Sequence, residues 1–273
     1  MGLDYELIDF GSGRKLERFG SVIVDRPEVL AEGIPKVPPK KWKELAHGFF
    51  DVRSGKWKGN PKLPHIQTCG FSHGSIRCRF QLHLGKFKHV GLFPEQENHW
   101  KFLIEKVKKG DRILNLFGYT GAASICAAKA GGDVFHVDSS KSIVKRAAEN
   151  AKENEIETIH WVVEDALSFA KKEERRGRKY DFLIMDPPVY GRGKKGEHWK
   201  LEDKLPELMR TAKNILEHEG ILVLNTYSPK VNLEMMEELA TVNRLSVLKK
   251  GWLSVESGER KLKLSRYLLC GCA

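Results

Sequence analysis

The amino-acid sequence predicts an α/β protein: a doubly wound, mostly parallel sheet, preceded by a small, mostly β domain. Three observations carry this. From Pro94 onward, amphipathic helix-length segments alternate with short apolar strand-length segments. The connections between them are short, which makes neighbouring strands parallel and puts helices on both faces of the sheet. Residues 1–92 differ in texture, being rich in Gly, Pro, Trp and His with short alternating stretches.

In the first region residues 21–24 alternate, and residues 68–72 and 76–84 pair as a hairpin around His73-Gly74-Ser75. Residues 32–40 hold Pro35, Pro38 and Pro39 and read as a loop, followed by a helix over 41–47. A helix over 95–108 then leads to a strand at 112–117, a helix from Gly121 and a strand at 134–138. Residues 139–153 place Ile143, Val144, Ala147, Ala148 and Ala151 on one helical face, with Ser139 as N-cap. Strand 159–164, helix 166–175, strand 180–186, helix 201–217, strand 220–226 and helix 233–241 follow. The last two β segments, 246–255 and 261–270, turn at Ser257-Gly258-Glu259 and so form an antiparallel pair at one edge. Two domains are expected, a β-rich one over 1–92 with a supporting or RNA-binding role and a catalytic one over 93–273.

The 273 residues are 41% hydrophobic and 30% charged, the balance of a folded globular chain rather than a disordered one. No apolar run approaches the roughly 20 residues of a membrane span. The start, Met-Gly-Leu-Asp-Tyr-Glu, lacks a basic-plus-apolar signal, so the expected compartment is the cytoplasm. Cys69, Cys78, Cys126, Cys270 and Cys272 are odd in number, scattered and without a CxxC pair. They read as buried small hydrophobes rather than as disulfides or metal ligands, and no metal is expected. A shared site for Cys270 and Cys272 with Cys69 and Cys78 is the minor alternative. The net charge of +11 favours a polyanionic partner.

The segment Ile113-Leu-Asn-Leu-Phe-Gly-Tyr-Thr-Gly121 closes the first strand of the large sheet. Gly118 and Gly121 bare the backbone where a ligand can lie against a helix N-terminus. Leu116 stands where a GxGxxG pattern has its first glycine, so glycines alone do not define the ligand. Asp138 ends the next strand, in the place of an acid that hydrogen-bonds the ribose hydroxyls of a nucleoside. Asp165 ends the third and is read as meeting the adenine amine, ahead of its alternative as a helix cap. A doubly wound sheet ending in an antiparallel strand is, moreover, the methyltransferase arrangement rather than a plain dinucleotide fold.

Asp186-Pro187-Pro188-Val189-Tyr190 follows directly on the apolar strand residues 182–185. The prolines stop the strand and stiffen the loop. The Asp186 carboxylate and the Pro187 carbonyl can accept hydrogen bonds from a planar nitrogenous group, with Tyr190 stacking on its face. This suits methyl transfer from an activated sulfonium, in which the protein's task is to align the nucleophile.

Asn115-Leu-Phe-Gly-Tyr-Thr-Gly-Ala, Val137-Asp-Ser-Ser-Lys and Asp181-Phe-Leu-Ile-Met-Asp-Pro-Pro together resemble the bacterial large-subunit ribosomal RNA cytosine-5 methyltransferase-like family. Gly13-Arg-Lys-Leu-Glu-Arg-Phe-Gly20 and Gly91-Leu-Phe-Pro-Glu-Gln96 resemble that family's β segment and its junction to the catalytic domain. The resemblance implies a Rossmann-like class I fold with a seven-stranded sheet, and S-adenosylmethionine as cofactor. It implies a cofactor site of Gln96, Asn115, Phe117, Gly118, Tyr119, Thr120, Gly121, Asp138, Ser139 and Asp165. Asp186, Pro187, Pro188 and Tyr190 then fall at the reacting base.

Two departures set this chain apart. The RNA-binding domain that typically precedes the β segment is not expected, since that segment begins close to Met1. Cytosine-5 methylation needs a Cys thiolate that adds to the ring, and family members carry it where this chain has Asn225-Thr226-Tyr227-Ser228. The chain fits a subgroup without that cysteine, whose loop is similar to the one from Asp186 through Gly191, Arg192 and Lys195 to Glu197. Transfer to a base nitrogen of RNA, ribosomal RNA first, is therefore the leading reading. Arg192, Lys194, Lys195 and Lys200 follow the loop, interleaved with Tyr190 and Trp199, as phosphate-binding residues. A protein or small-molecule acceptor, a cytosine-5 product, a nicotinamide oxidoreductase and a non-catalytic RNA-binding module are the competing functions.

Overall fold

The computed structural model describes residues 2–59, 67–85, 88–192 and 198–272. The chain divides into two compact units, Met1–Asn98 with Ser254–Leu264, and His99–Leu253 with Ser265–Ala273.

In the first unit β1 (Tyr5–Gly11), β2 (Arg14–Phe19) and β3 (Val22–Pro27) form an antiparallel meander. The loop that follows runs into α1 (Pro39–Leu45), which opens on a proline whose missing N–H needs no partner there. This helix was expected two residues later, over 41–47; the proline starts it. β4 (Gly48–Asp51) joins β3 in parallel and β5 (Lys56–Gly59) completes a five-stranded sheet. β6 (Gln67–His73) and β7 (Ile76–Leu82) make the expected hairpin, with Gly74 at φ 57° in its turn.

Charged side chains in this small unit are sunk into its core. Glu17 is wholly buried and accepts from Arg26 Nε at 2.5 Å and from the Tyr5 hydroxyl at 2.8 Å, while Lys15 Nζ lies 3.2 Å away. Burial opposes the charge, but Arg26 and Lys15 outweigh it and hold Glu17 below the usual carboxylate range. Asp9, equally buried, accepts from Val37 N–H at 2.8 Å and Trp42 Nε1 at 3.1 Å, and pairs with Arg260. It thereby fixes the proline-rich loop and α1 to β1.

A 3-10 turn, Pro94–Gln96, precedes α2 (Glu97–Lys106). In the second unit β8 (Arg112–Leu116), α3 (Ala122–Lys129), β9 (Asp133–Asp138), α4 (Lys141–Glu153), β10 (His160–Val163), α5 (Ala166–Arg175) and β11 (Tyr180–Met185) alternate as the sequence indicates. β12 (Tyr190–Arg192) and β13 (His198–Lys200) form a hairpin that the hydrophobic pattern does not announce. After it come α6 (Leu201–Ile215), β14 (Leu216–Thr226), α7 (Leu233–Val242), β15 (Leu245–Ser257) and β16 (Arg260–Cys272).

The seven-stranded sheet has the order β10-β9-β8-β11-β14-β16-β15. The first five strands run parallel, and β16 lies antiparallel to β14. β8 and β11 are the middle of the sheet, and Leu114, Leu116, Leu183 and Met185 are fully buried in its core. Such central strands, covered on both faces, read as continuous apolar runs rather than alternating ones. Their carboxyl ends therefore lie side by side, which is where open α/β sheets bind ligands. No described helix is long and apolar enough to cross a membrane.

One correction concerns α4, whose N-cap is Ser140 rather than Ser139. The Asp138 carboxylate takes the Ser140 N–H at 2.9 Å, so the chain turns one residue further before the helix begins. The exposed Ser139 lies within that turn.

Removing one partner of the Glu17 pair leaves a buried charge uncompensated. Arg26→Met is expected to cost about 3–5 kcal/mol of stability. Urea unfolding of the variant and parent measures it, and a change within experimental error would show the cluster to be energetically idle.

Candidate active site

The turn after β8 packs an unusual run of backbone. Phe117 and Tyr119 have φ of 61° and 49°, and Gly121, which opens α3, has 87°. Side-chain-bearing residues in this region cost of order 1–3 kcal/mol each and persist where the surroundings over-determine them. Gly118, by contrast, is not in the left-handed region; its role is space. A Cβ there would stand 2.5 Å from His136 Nδ1.

His136 is wholly buried beneath the turn and opposite Asn115 in the β8–β9 register. Its Nδ1 lies 3.0 Å from Ser124 Oγ, which also accepts from Asn115 Nδ2 at 2.9 Å. This seam ties β8, β9 and the first turn of α3 together. Burial pushes His136 down to about 4, with a backbone hydrogen bond to Tyr119 opposing it, so the imidazole is neutral at physiological pH. Asn115 thus serves the seam, and Thr120, also buried, gives its carbonyl to Asn150 Nδ2 at 3.0 Å.

The half-buried Asp138 accepts from Tyr119 N–H at 3.2 Å and from Ser140 N–H at 2.9 Å. Burial raises its pKa, while these two N–H groups pull it back. Asp165 is exposed and caps α5, accepting from Ser168 N–H at 2.8 Å. Gln96 ends the 3-10 turn of the first unit.

On the neighbouring strand end, Asp186 Oδ1 accepts from Asn225 Nδ2 at 2.8 Å, and Asn225 Oδ1 accepts from Ser265 Oγ at 2.9 Å. Asn225 is buried at the end of β14. Sequence reading marked it only as the position of an absent cysteine, whereas the structure makes it the residue that orients Asp186. Pro187 is buried and Pro188 exposed. The Pro188 carbonyl accepts from Trp199 Nε1 at 2.6 Å, and that of Val189 from Leu201 N–H at 3.1 Å. Trp199 also meets Phe117, ring centroids 5.2 Å apart, across from the β8 turn. Tyr190 stands 62% exposed, open to a stacking partner.

Of the basic residues, Arg192 belongs to β12, and Lys194 and Lys195 lie outside the described residues. Lys200 Nζ reaches Asp203 at 3.3 Å on the surface. All five cysteines are buried and none forms a disulfide. Burial pushes the thiols of Cys69 and Cys270 up to about 12. Among the described residues no group of His, Cys, Asp and Glu is arranged to hold a metal ion.

A parallel sheet closed by an antiparallel strand, with a glycine-containing turn after its first strand and an acid after the next, defines a class I methyltransferase fold. The sequence matches the S-adenosylmethionine-dependent methyltransferase family over residues 66–247. The chain belongs to that family and is an S-adenosylmethionine-dependent enzyme. It is similar to the SAM-dependent methyltransferase of Agrobacterium tumefaciens, with 36% identity and a TM-score of 0.90, covering 100% of this chain and 92% of that one. It is 31% identical over 148 residues to ribosomal RNA large subunit methyltransferase K of Neisseria meningitidis, covering 53% of this chain and 42% of that protein. With ribosomal RNA large subunit methyltransferase K/L of Shewanella amazonensis it shares 30% over 174 residues, 62% of this chain and 24% of the relative. The chain thus spans less than half the length of these curated relatives.

If Gly118 is glycine because the His136 ring fills its side-chain space, the two positions must be coupled. Gly118→Ala is expected to cost about 1–3 kcal/mol in the parent, as overpacking does. In a His136→Ala background the same change should cost much less. Equal costs in the two backgrounds, measured by urea melts, would refute the steric account.

Proposed function

We propose that this methyltransferase acts on a base nitrogen of RNA, ribosomal RNA first. The observation that carries the reading is the Asp186 carboxylate, oriented by Asn225 at the end of β11 in a loop without a thiol. A carboxylate so held accepts an N–H from an amino or ring nitrogen and turns its lone pair toward the donor. Carbon methylation would need a thiolate beside the base. Neither residues 186–190 nor residues 225–228 contain one, and burial keeps Cys69 and Cys270 protonated at neutral pH.

The residues at the β8 turn fit the cofactor. Gly121 opens α3, and no side chain caps that N-terminus, which leaves backbone N–H groups for a ligand. Asp138, half-buried, would accept from the ribose hydroxyls, and the exposed Asp165 from the adenine amine. Asn115, Phe117, Tyr119, Thr120 and Ser139 would shape the wall. S-adenosylmethionine, when bound, supplies a methyl group already activated on sulfur. The chain's part is then to hold the base in line, through Asp186, Pro187 and Pro188, with Tyr190 stacked on its face.

RNA as acceptor draws support from the ribosomal RNA relatives and from the net charge of +11. Arg192, Lys194, Lys195 and Lys200, close behind the loop in sequence, would meet the phosphates.

The catalytic assignment separates two carboxylates. By calorimetry, Asp138→Ala should weaken S-adenosylmethionine binding by about tenfold or more, and Asp186→Ala should leave it within about twofold. Asp186→Ala should instead cut turnover by at least about 100-fold. The reverse pattern would exchange the roles or remove them.

The acceptor is tested by mass spectrometry of nucleosides from RNA of a strain lacking the gene. Loss of one N-methylated nucleoside supports the proposal; loss of 5-methylcytidine or of none overturns it. Single-stranded RNA affinity should also fall with salt at a log–log slope of about −0.7 per phosphate contact, or roughly −2 for three. Neutralising Arg192, Lys194 and Lys195 together should flatten that slope without changing cofactor affinity.

A further inference from the structure

We infer that Trp199 is a positioning residue that fixes the loop carrying Asp186 against the turn that follows β8. The inference rests on the methyltransferase reaction and not on the identity of the acceptor.

Pro187 and Pro188 bring no N–H groups, so the loop has few donors with which to tie itself to its surroundings. What it presents is carbonyls, and these need donors from elsewhere. The β12–β13 hairpin supplies one. Trp199 lies opposite Gly191 in that hairpin, so the chain leaving the loop brings the indole back to it. Nε1–H donates to the Pro188 carbonyl at 2.6 Å. Leu201 N–H adds a second tie, to Val189, at 3.1 Å.

The other side of the indole faces the cofactor turn. Its ring stands 5.2 Å from that of Phe117 at an interplanar angle of 57°, a tilted aromatic contact. Phe117 is one of the two side-chain-bearing residues in that turn held at positive φ, a conformation that needs support from packing. Trp199 and Phe117 both pack on the core under the sheet. One side chain therefore touches the end of β8 and, through Pro188, the end of β11. Donor and acceptor must meet between those two strand ends, and a misplacement of about 1 Å there can cost about 100-fold in rate. Trp199 moves no proton; it acts through Pro188 and Phe117.

Two variants of the full chain separate the contacts. Trp199→Phe keeps an aromatic ring against Phe117 and deletes the donor; Trp199→Ala deletes both. In Trp199→Phe, S-adenosylmethionine affinity by calorimetry should stay within about twofold, while the Tyr190 and Leu201 amides exchange at least about fivefold faster. Trp199→Ala should show the faster exchange and lose about tenfold in affinity as well. Transfer of tritiated methyl to total bacterial RNA should fall in Trp199→Phe through kcat, with KM for the cofactor unchanged. If Trp199→Ala does not fold, Trp199→Phe alone decides. Parent-like exchange in Trp199→Phe, or equal loss of cofactor affinity in both variants, overturns the inference. If the parent labels no RNA, the RNA proposal fails, and the exchange and calorimetry still judge Trp199.

Discussion

The carboxylate of Asp138 is the interaction on which the geometry at the head of the sheet depends. Each of its oxygens takes a backbone N–H, one from Tyr119 in the turn after β8 and one from Ser140 at the start of α4. Two successive strand-to-helix crossings are thus tied to a single side chain. Without an acceptor at that point, the Tyr119 amide would lose a partner, and a turn already carrying positive φ at Phe117 and Tyr119 would have less to hold it. Below it the Asn115–Ser124–His136 seam ties the same strands from inside. Burial lowers the proton affinity of the imidazole, which stays neutral at that depth and meets Ser124 through Nδ1.

The first unit solves a different problem by the same means. A five-stranded sheet of short strands has little apolar area to bury, and its centre is held by Asp9 and Glu17 with their cationic partners. Asp9 gathers backbone N–H groups from the proline-rich loop, the indole of Trp42 and a guanidinium from Ser254–Leu264, a distant stretch of chain. Buried charges of this kind confer orientation more than net stability, since their mutual attraction must first offset the loss of water.

Around Asp186 the geometry is set by what the neighbouring strand presents. β14 runs beside β11, and Asn225 at its end reaches Asp186 while being held in turn by Ser265 of β16. The antiparallel strand that completes the sheet is therefore part of the chain of contacts that orients the acidic group. A thiol at that place would present a nucleophile; an amide presents a donor and a fixed direction.

The βα alternation, the strand ends and the acids on them were readable from the sequence, because hydrophobic periodicity reports which face of each element is buried. β8, β9, α5 and β11 lie within a residue of where the pattern puts them. The motif Asp186-Pro187-Pro188 was legible because proline's geometry stops a strand wherever it occurs. Other features depend on residues far apart in the chain. That Gly118 makes room for His136, that Asn225 orients Asp186, and that the β12–β13 hairpin returns Trp199 to Pro188 leave no local trace in composition or period. The shift of the α4 cap from Ser139 to Ser140 has the same origin, since either serine satisfies the local rule and only the Asp138 hydrogen bond chooses between them. Sequence by itself determined the class of fold and the residues that stand at the carboxyl ends of its strands, through burial and backbone chemistry that act locally. Tertiary structure alone decided which of those residues hold one another in place, because hydrogen-bond partners are selected by proximity in space.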